Sequence, residues 1–203
     1  MSKLETNTID NISGSSTLNI SDTNATNITI DNGVTTLDFG TGISTVSNMP
    51  AAFKNTPAFE AYTTAFQSVT EAAYTKLTFA TEEFDSDGNY DNSTNYRFTP
   101  TTAGKYFVYA KVRTDPSSYE NERSSNLLIY KNGSSVSKTS TDSMTGGNTS
   151  TDGATSSTHN ITAIIDMNGS SDYLEVYGKL NTWSDSGATI GSKVFGAYRI
   201  IGV

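Results

Sequence analysis

The chain contains no cysteine, four prolines, one histidine and one tryptophan in 203 residues. Without cysteine there are no disulfides, no thiol nucleophile and no thiolate metal site. A single histidine, His159, rules out histidine-rich metal clusters, and it has no neighbouring nucleophile motif, so it is expected at the surface or at a strand end. No G-x-S-x-G is present, and Gly104-Lys105 is followed by Tyr106, so the phosphate-loop pattern is absent too. No catalytic residue is assigned, and the chain is not expected to be an enzyme. Basic residues are also scarce. The formal charge of -8 argues against nucleic-acid binding, which needs a cationic surface to displace counterions, and against anionic membranes. No apolar run is long enough to span a bilayer, so no membrane insertion is expected. The opening "MSKLETNTIDNISG" has no apolar core after Lys3, so a secretory leader is not expected either.

Hydrophobic residues make up only 34% of the chain, yet aromatics reach 10%, which distinguishes it from a disordered polymer. Serine, threonine, asparagine and glycine fill the remainder. This composition reads as an all-β protein with long polar loops.

Residues 16–39 carry apolar pairs separated by one polar residue: Leu18/Ile20, Ile28/Ile30 and Leu37/Phe39. Turn-forming "SDTN" and "DNG" lie between them, giving a short-strand repeat of about ten residues. Such a segment cannot offset its own ordering entropy, so it needs copies of itself or a partner. A threefold β-prism with these six side chains at its axis is the favoured solution, and a polar leader is the alternative. Residues 1–50 are accordingly assigned as an anchor and trimerising stalk with its linker, and residues 51–203 as a head.

In the head, residues 73–79, 95–100, 104–112, 125–133, 159–167, 172–180 and 193–203 are rich in β-branched and aromatic residues. Asn132-Gly133, Asp152-Gly153 and Asn168-Gly169 are turn signals. With no amphipathic helix in view, an antiparallel sandwich or jelly roll is expected. Residues 134–158 are nearly devoid of apolar side chains, so only their start is expected to pair, with a long exposed loop from about Lys138.

The stretch "EEFDSDGNYDNSTNYRF", residues 82–98, begins like a calcium loop. Counted from Asp85, however, the sixth position is Tyr90 and the twelfth Tyr96, where an EF-hand needs glycine and glutamate. A turn between strands is the favoured reading. A looser surface site built on Asp85, Asp87 and Asp91 is the alternative, and no cofactor, calcium included, is assigned.

The spaced pattern Phe79-x5-Asp85-x4-Tyr90-x7-Phe98-x5-Gly104-x-Tyr106-x-Val108 resembles the signature of the complement-type globular-head domain, a jelly roll shared with the tumour-necrosis-factor superfamily. "PAFEAY", "NGSSDYLEV" and "FGAYRIIGV" resemble its first strand, penultimate hairpin and last strand, so the resemblance spans residues 57–203. It implies a homotrimer with aromatics along a threefold axis, for which Tyr106, Tyr109, Phe195 and Tyr198 are the candidates. It also implies that Phe79 and Phe98 face the core and that Tyr90 packs across the acidic turn.

"MSKLETNTIDNISGSSTLNI" resembles the opening of structural fibre proteins of tailed phages, marine ones in particular. That resemblance implies a virion protein assembled in the host cytoplasm, attached to other virion proteins through its N-terminus, whose head meets a host glycan or protein. Trp183 and Tyr119, in expected loops, are the candidates for stacking on a sugar. The alternatives are a capsid decoration or cement protein that reads no receptor, and a non-viral complement-like binding module.

Overall fold

The computed structural model describes residues 54–116, 122–144, 156–183 and 188–201. Leu18, Ile20, Ile28, Ile30, Leu37, Phe39 and Tyr119 lie outside the described residues, and so does the proposed stalk.

The described residues form twelve strands: β1 (Ala58–Thr63), β2 (Gln67–Ser68), β3 (Thr75–Lys76), β4 (Thr81–Asp85), β5 (Tyr90–Asp91), β6 (Arg97–Phe98), β7 (Gly104–Pro116), β8 (Glu122–Lys131), β9 (Ser134–Met144), β10 (Ser157–Met167), β11 (Leu174–Thr182) and β12 (Ala188–Arg199). One sheet has the order β10-β7-β12-β1-β4, with β2 also on β12. The other has the order β5-β6-β11-β8-β9, with β3 also on β11. Every pairing is antiparallel. The chain changes sheet between β2 and β3, β3 and β4, β4 and β5, β6 and β7, β7 and β8, β9 and β10, β10 and β11, and β11 and β12, so successive elements wind back and forth between the two sheets as in a jelly roll.

Alternation along each strand sorts side chains into two faces. On β7 the even-numbered Tyr106, Val108, Ala110 and Val112 turn inward and are buried. On β12 Phe195 and Ala197 do the same. Between the sheets lies an aromatic cluster centred on Phe59. Its ring stacks on Tyr90 at 4.6 Å and on Phe98 at 4.5 Å, and meets Phe195 edge-on at 4.9 Å. Such pairs add about 0.5–1.5 kcal/mol each beyond area burial.

The hairpin between β8 and β9 turns on Asn132 and Gly133, both at positive φ (53° and 77°), as a two-residue turn matched to strand twist requires. β9 continues to Met144, six residues past the point where a loop was expected. The reason is its position at the rim of its sheet. An edge strand pairs through its backbone on one side only and needs little apolar surface, and on β9 the polar Thr139 is buried.

Candidate binding surfaces

The acidic segment is a pair of turns, and its carboxylates are occupied in shaping them. Asp85 Oδ2 accepts the Tyr90 amide at 2.7 Å, and Oδ1 accepts the Asp87 amide at 3.2 Å. Asp91 Oδ1 accepts the amides of Ser93 and Thr94, while Oδ2 accepts the amide and side-chain nitrogen of Asn95, all within 3.0 Å. Those donors stabilise the ionised form and hold the Asp91 carboxyl far below the usual range. Asp87 accepts a bond from the Ser86 hydroxyl. Among the described residues no group of three or more acidic or histidine side chains converges as a metal site. Tyr90 packs across the turn as expected, its hydroxyl donating to the Phe79 carbonyl at 3.1 Å.

Of the four aromatics expected at an intersubunit contact, two are elsewhere. Tyr106 and Phe195 are fully buried inside the protomer, where Tyr106 meets Phe98 edge-on and Phe195 meets Phe59. Their strand parity puts them between the sheets, so they have no surface to offer a neighbour. Tyr109 and Tyr198 have the opposite parity and stand on the outer face.

That outer face is organised in rows by the strand register. Ala58, Tyr198, Phe107 and Ile164 are aligned across β1, β12, β7 and β10. The Phe107 and Tyr198 rings lie 5.3 Å apart, while Tyr198 is 40% and Ile164 48% exposed. The next row is Glu60, Gly196, Tyr109 and Thr162, flanked by Phe84, itself 49% exposed, opposite Glu60 on β4. Tyr109 reaches over Gly196 and donates its hydroxyl to Glu60. Burial, and then this bond to a carboxylate, raise the Tyr109 phenol well above its ordinary value.

Trp183 follows the end of β11 and is half-buried. The Arg123 guanidinium lies over one face of the indole, 5.2 Å from its centre, and the indole nitrogen is turned inward without an acceptor among the described residues. One of the two ring faces a sugar could use is thus taken.

A polar cluster inside the sandwich escaped the sequence reading. His159 lies near the start of β10, at the strand end that was one of its two expected places, but it is 6% exposed and turned inward rather than at the surface. Its Nε2 lies 2.6 Å from Ser125 Oγ and its Nδ1 3.0 Å from Thr141 Oγ1. Ser125 in turn donates to Glu122, which is fully buried, and Thr114 Oγ1 approaches the other carboxylate oxygen at 2.5 Å. With the Ser125 hydroxyl assigned as donor to Glu122, His159 takes the tautomer that donates from Nε2 to Ser125 and accepts at Nδ1 from Thr141. This order is the reverse of an activated nucleophile: the histidine donates to the serine and the serine to the carboxylate. Ser125 is also 2% exposed, so the arrangement is a closed structural network. The one sequence signal was the inward parity of His159 with Ile161 and Ile165.

No protein-family model matches the chain, and no curated protein matches it. Solved structures do align. The globular domain of a zebrafish complement 1qA protein does so with 16% identity and a TM-score of 0.47, over 71% of this chain and 96% of that one. Murine APRIL in a crystal grown at pH 8.0 aligns with 8% identity and a TM-score of 0.45, over 70% and 98% of the two chains.

Proposed function

We propose that the chain is a homotrimeric, non-enzymatic binding module, and that it serves a tailed phage as a fibre or spike whose jelly-roll head contacts the host surface. The observation that carries self-association is the row of Tyr198, Phe107 and Ile164 on the outer face of the first sheet, with Tyr109 and Phe84 beside it, and the threefold count rests on the resemblance of the head. A contiguous apolar strip rimmed by polar side chains marks an interaction surface, and closed symmetry is the commonest way a chain covers its own strip. Support for the virion role comes from the N-terminal resemblance and the short-strand repeat. Three linked heads multiply a weak affinity for a repetitive surface through effective concentration.

Light scattering of the full chain tests the trimer: three times the 21.7 kDa chain mass is expected. Tyr198→Glu combined with Ile164→Glu should give a folded monomer, whereas a wild-type monomer sinks the assembly. For the virion role, the chain should be found in purified particles and should compete with their adsorption to host cells. Particles lacking it overturn that role.

A further inference from the structure

A cavity of about 340 Å³ opens beside the two acidic turns, and Asn89, Asp91, Asn95, Arg97, Thr99 and Thr101 line most of it. Most of their polar atoms are already committed. The Asn89 side-chain oxygen accepts the Thr101 amide and hydroxyl, and its nitrogen donates to the Asp87 carbonyl. Asp91 is filled by the donors of its own turn. Nearby Lys76 is held by the Asn95 carbonyl at 2.8 Å and by Glu175 at 3.1 Å.

Arg97 is the exception. Its register partner across β5 and β6 is Asp91, the natural counter-ion, but that carboxylate is turned away into the 92–95 amides. The guanidinium instead lies on the Tyr173 ring, 4.5 Å from its centre, and makes no ion pair or hydrogen bond with another described residue. Tyr173 is itself fixed, with its amide donating to Asn132 at 2.9 Å and its hydroxyl against Gly133. Stacking holds the planar fork in place while leaving its N–H donors open. Thr99 likewise has an uncommitted hydroxyl among the described residues, since only its backbone is engaged, through the Asn89 carbonyl.

We propose that this cavity binds a carboxylated saccharide of the uronate type, its carboxylate forked by Arg97 and its ring hydroxyls set against the hydroxyls and amides of the wall. A guanidinium fork matches a carboxylate with two parallel hydrogen bonds. The volume is that of a small-ligand pocket and exceeds what a bare carboxylate fills. The lining is mixed, hydroxyl and amide edges beside apolar carbon, which matches the hydroxyl rim and C–H faces of a sugar ring. The site is complete within one protomer, so it stands or falls independently of the trimer.

The test is an amide-resolved NMR titration of the full chain at constant ionic strength with sodium glucuronate, methyl glucoside, sodium acetate and sodium sulfate. Glucuronate should shift amides within residues 88–101 and Tyr173 with a dissociation constant on the order of millimolar. Methyl glucoside, acetate and sulfate should each bind at least about tenfold more weakly, as should glucuronate to Arg97→Ala. Arg97→Lys, which keeps the charge and loses the fork, should weaken binding as well and guards against a folding defect in the alanine variant. No shift with glucuronate overturns the proposal. So does acetate or sulfate binding as tightly as glucuronate, methyl glucoside binding equally well, or Arg97→Lys binding unchanged.

Discussion

Tyr109 lies across the bare α-carbon of Gly196 and donates a hydrogen bond from its hydroxyl to Glu60, two strands away. A Cβ on Gly196 would sit 2.3 Å from the ring's Cζ and hydroxyl oxygen, so the ring must swing off its carboxylate. Gly196→Ala should therefore cost about 1–2 kcal/mol in urea unfolding. It should also return one tyrosine toward an ordinary titration in a spectrophotometric pH scan. Tyr109→Phe should reproduce the loss of stability without any steric change, and an unaltered phenol titration in Gly196→Ala would show that the ring does not rest there.

Gly169 is less forgiving, because what faces it is backbone. Its φ is +70°, and a Cβ would stand 2.2 Å from the Ala103 nitrogen and 2.6 Å from the Thr102 carbonyl carbon. The turn is pinned on its other side, where Asn168 Oδ1 accepts the amides of Ser170, Ser171 and Asp172. Neither segment can yield cheaply. Gly169→Ala should lower the unfolding free energy by at least about 2 kcal/mol, a larger loss than Gly196→Ala shows in the same assay.

His159 makes stability sensitive to mild acid. Burial lowers its folded-state pKa below the ordinary 6.5, against the opposing pull of Glu122 and Asp142. The unfolded chain therefore takes up the proton first as pH falls, and stability is lost from about pH 6.5 downward. Carboxylates with lowered values, such as Asp166 and Asp172, contribute only below about pH 5. Between pH 6.5 and 5 the slope is the histidine's, so unfolding midpoints of His159→Gln should be flat there while the wild type declines.

Lys193 acts with the same sign at higher pH. Its residue is 1% exposed on the inward side of β12, with one long contact of 3.5 Å from Nζ to the Ala65 carbonyl, and burial pushes its amine down to about 8. Between pH 8 and its unfolded value the unfolded chain binds more protons, so stability should rise with pH. The rise is readable between pH 8 and about 9.5, before the tyrosines with raised values, Tyr109 among them, begin to subtract. Lys193→Met should be more stable than wild type at pH 7 by about 1–3 kcal/mol and should lack the rise.

The strands with one-sided alternation were legible from their residues. Residues 159–167 alternate cleanly, and β10 covers them. Asn132-Gly133 announced its own hairpin because few residue pairs tolerate two positive φ values in sequence. Asp85 and Asp91 were read as turn formers, and the amides they cap show why that chemistry outcompetes an open coordination shell. By contrast, "GKYFVYAKV" carries aromatics at both parities, and only Lys105 and Lys111, on the side of Tyr109, hint at which of Tyr106 and Tyr109 faces inward. The second sheet decides that, by lying against one side of β7 and leaving the other bare.

By itself, then, the sequence determined the local terms: an all-β chain, the placement of most strands, the positions of its turns, and the absence of disulfide or thiol chemistry. These depend on propensities and spacings within a few residues. Tertiary structure alone decided which aromatics of β7 and β12 join the core, that the polar segment 134–144 is an edge strand, that His159 and Lys193 are buried, and that Arg97 is left without its carboxylate. Each of those depends on which distant strand lies alongside, and side-chain burial and charge pairing are properties of that neighbour as much as of the residue.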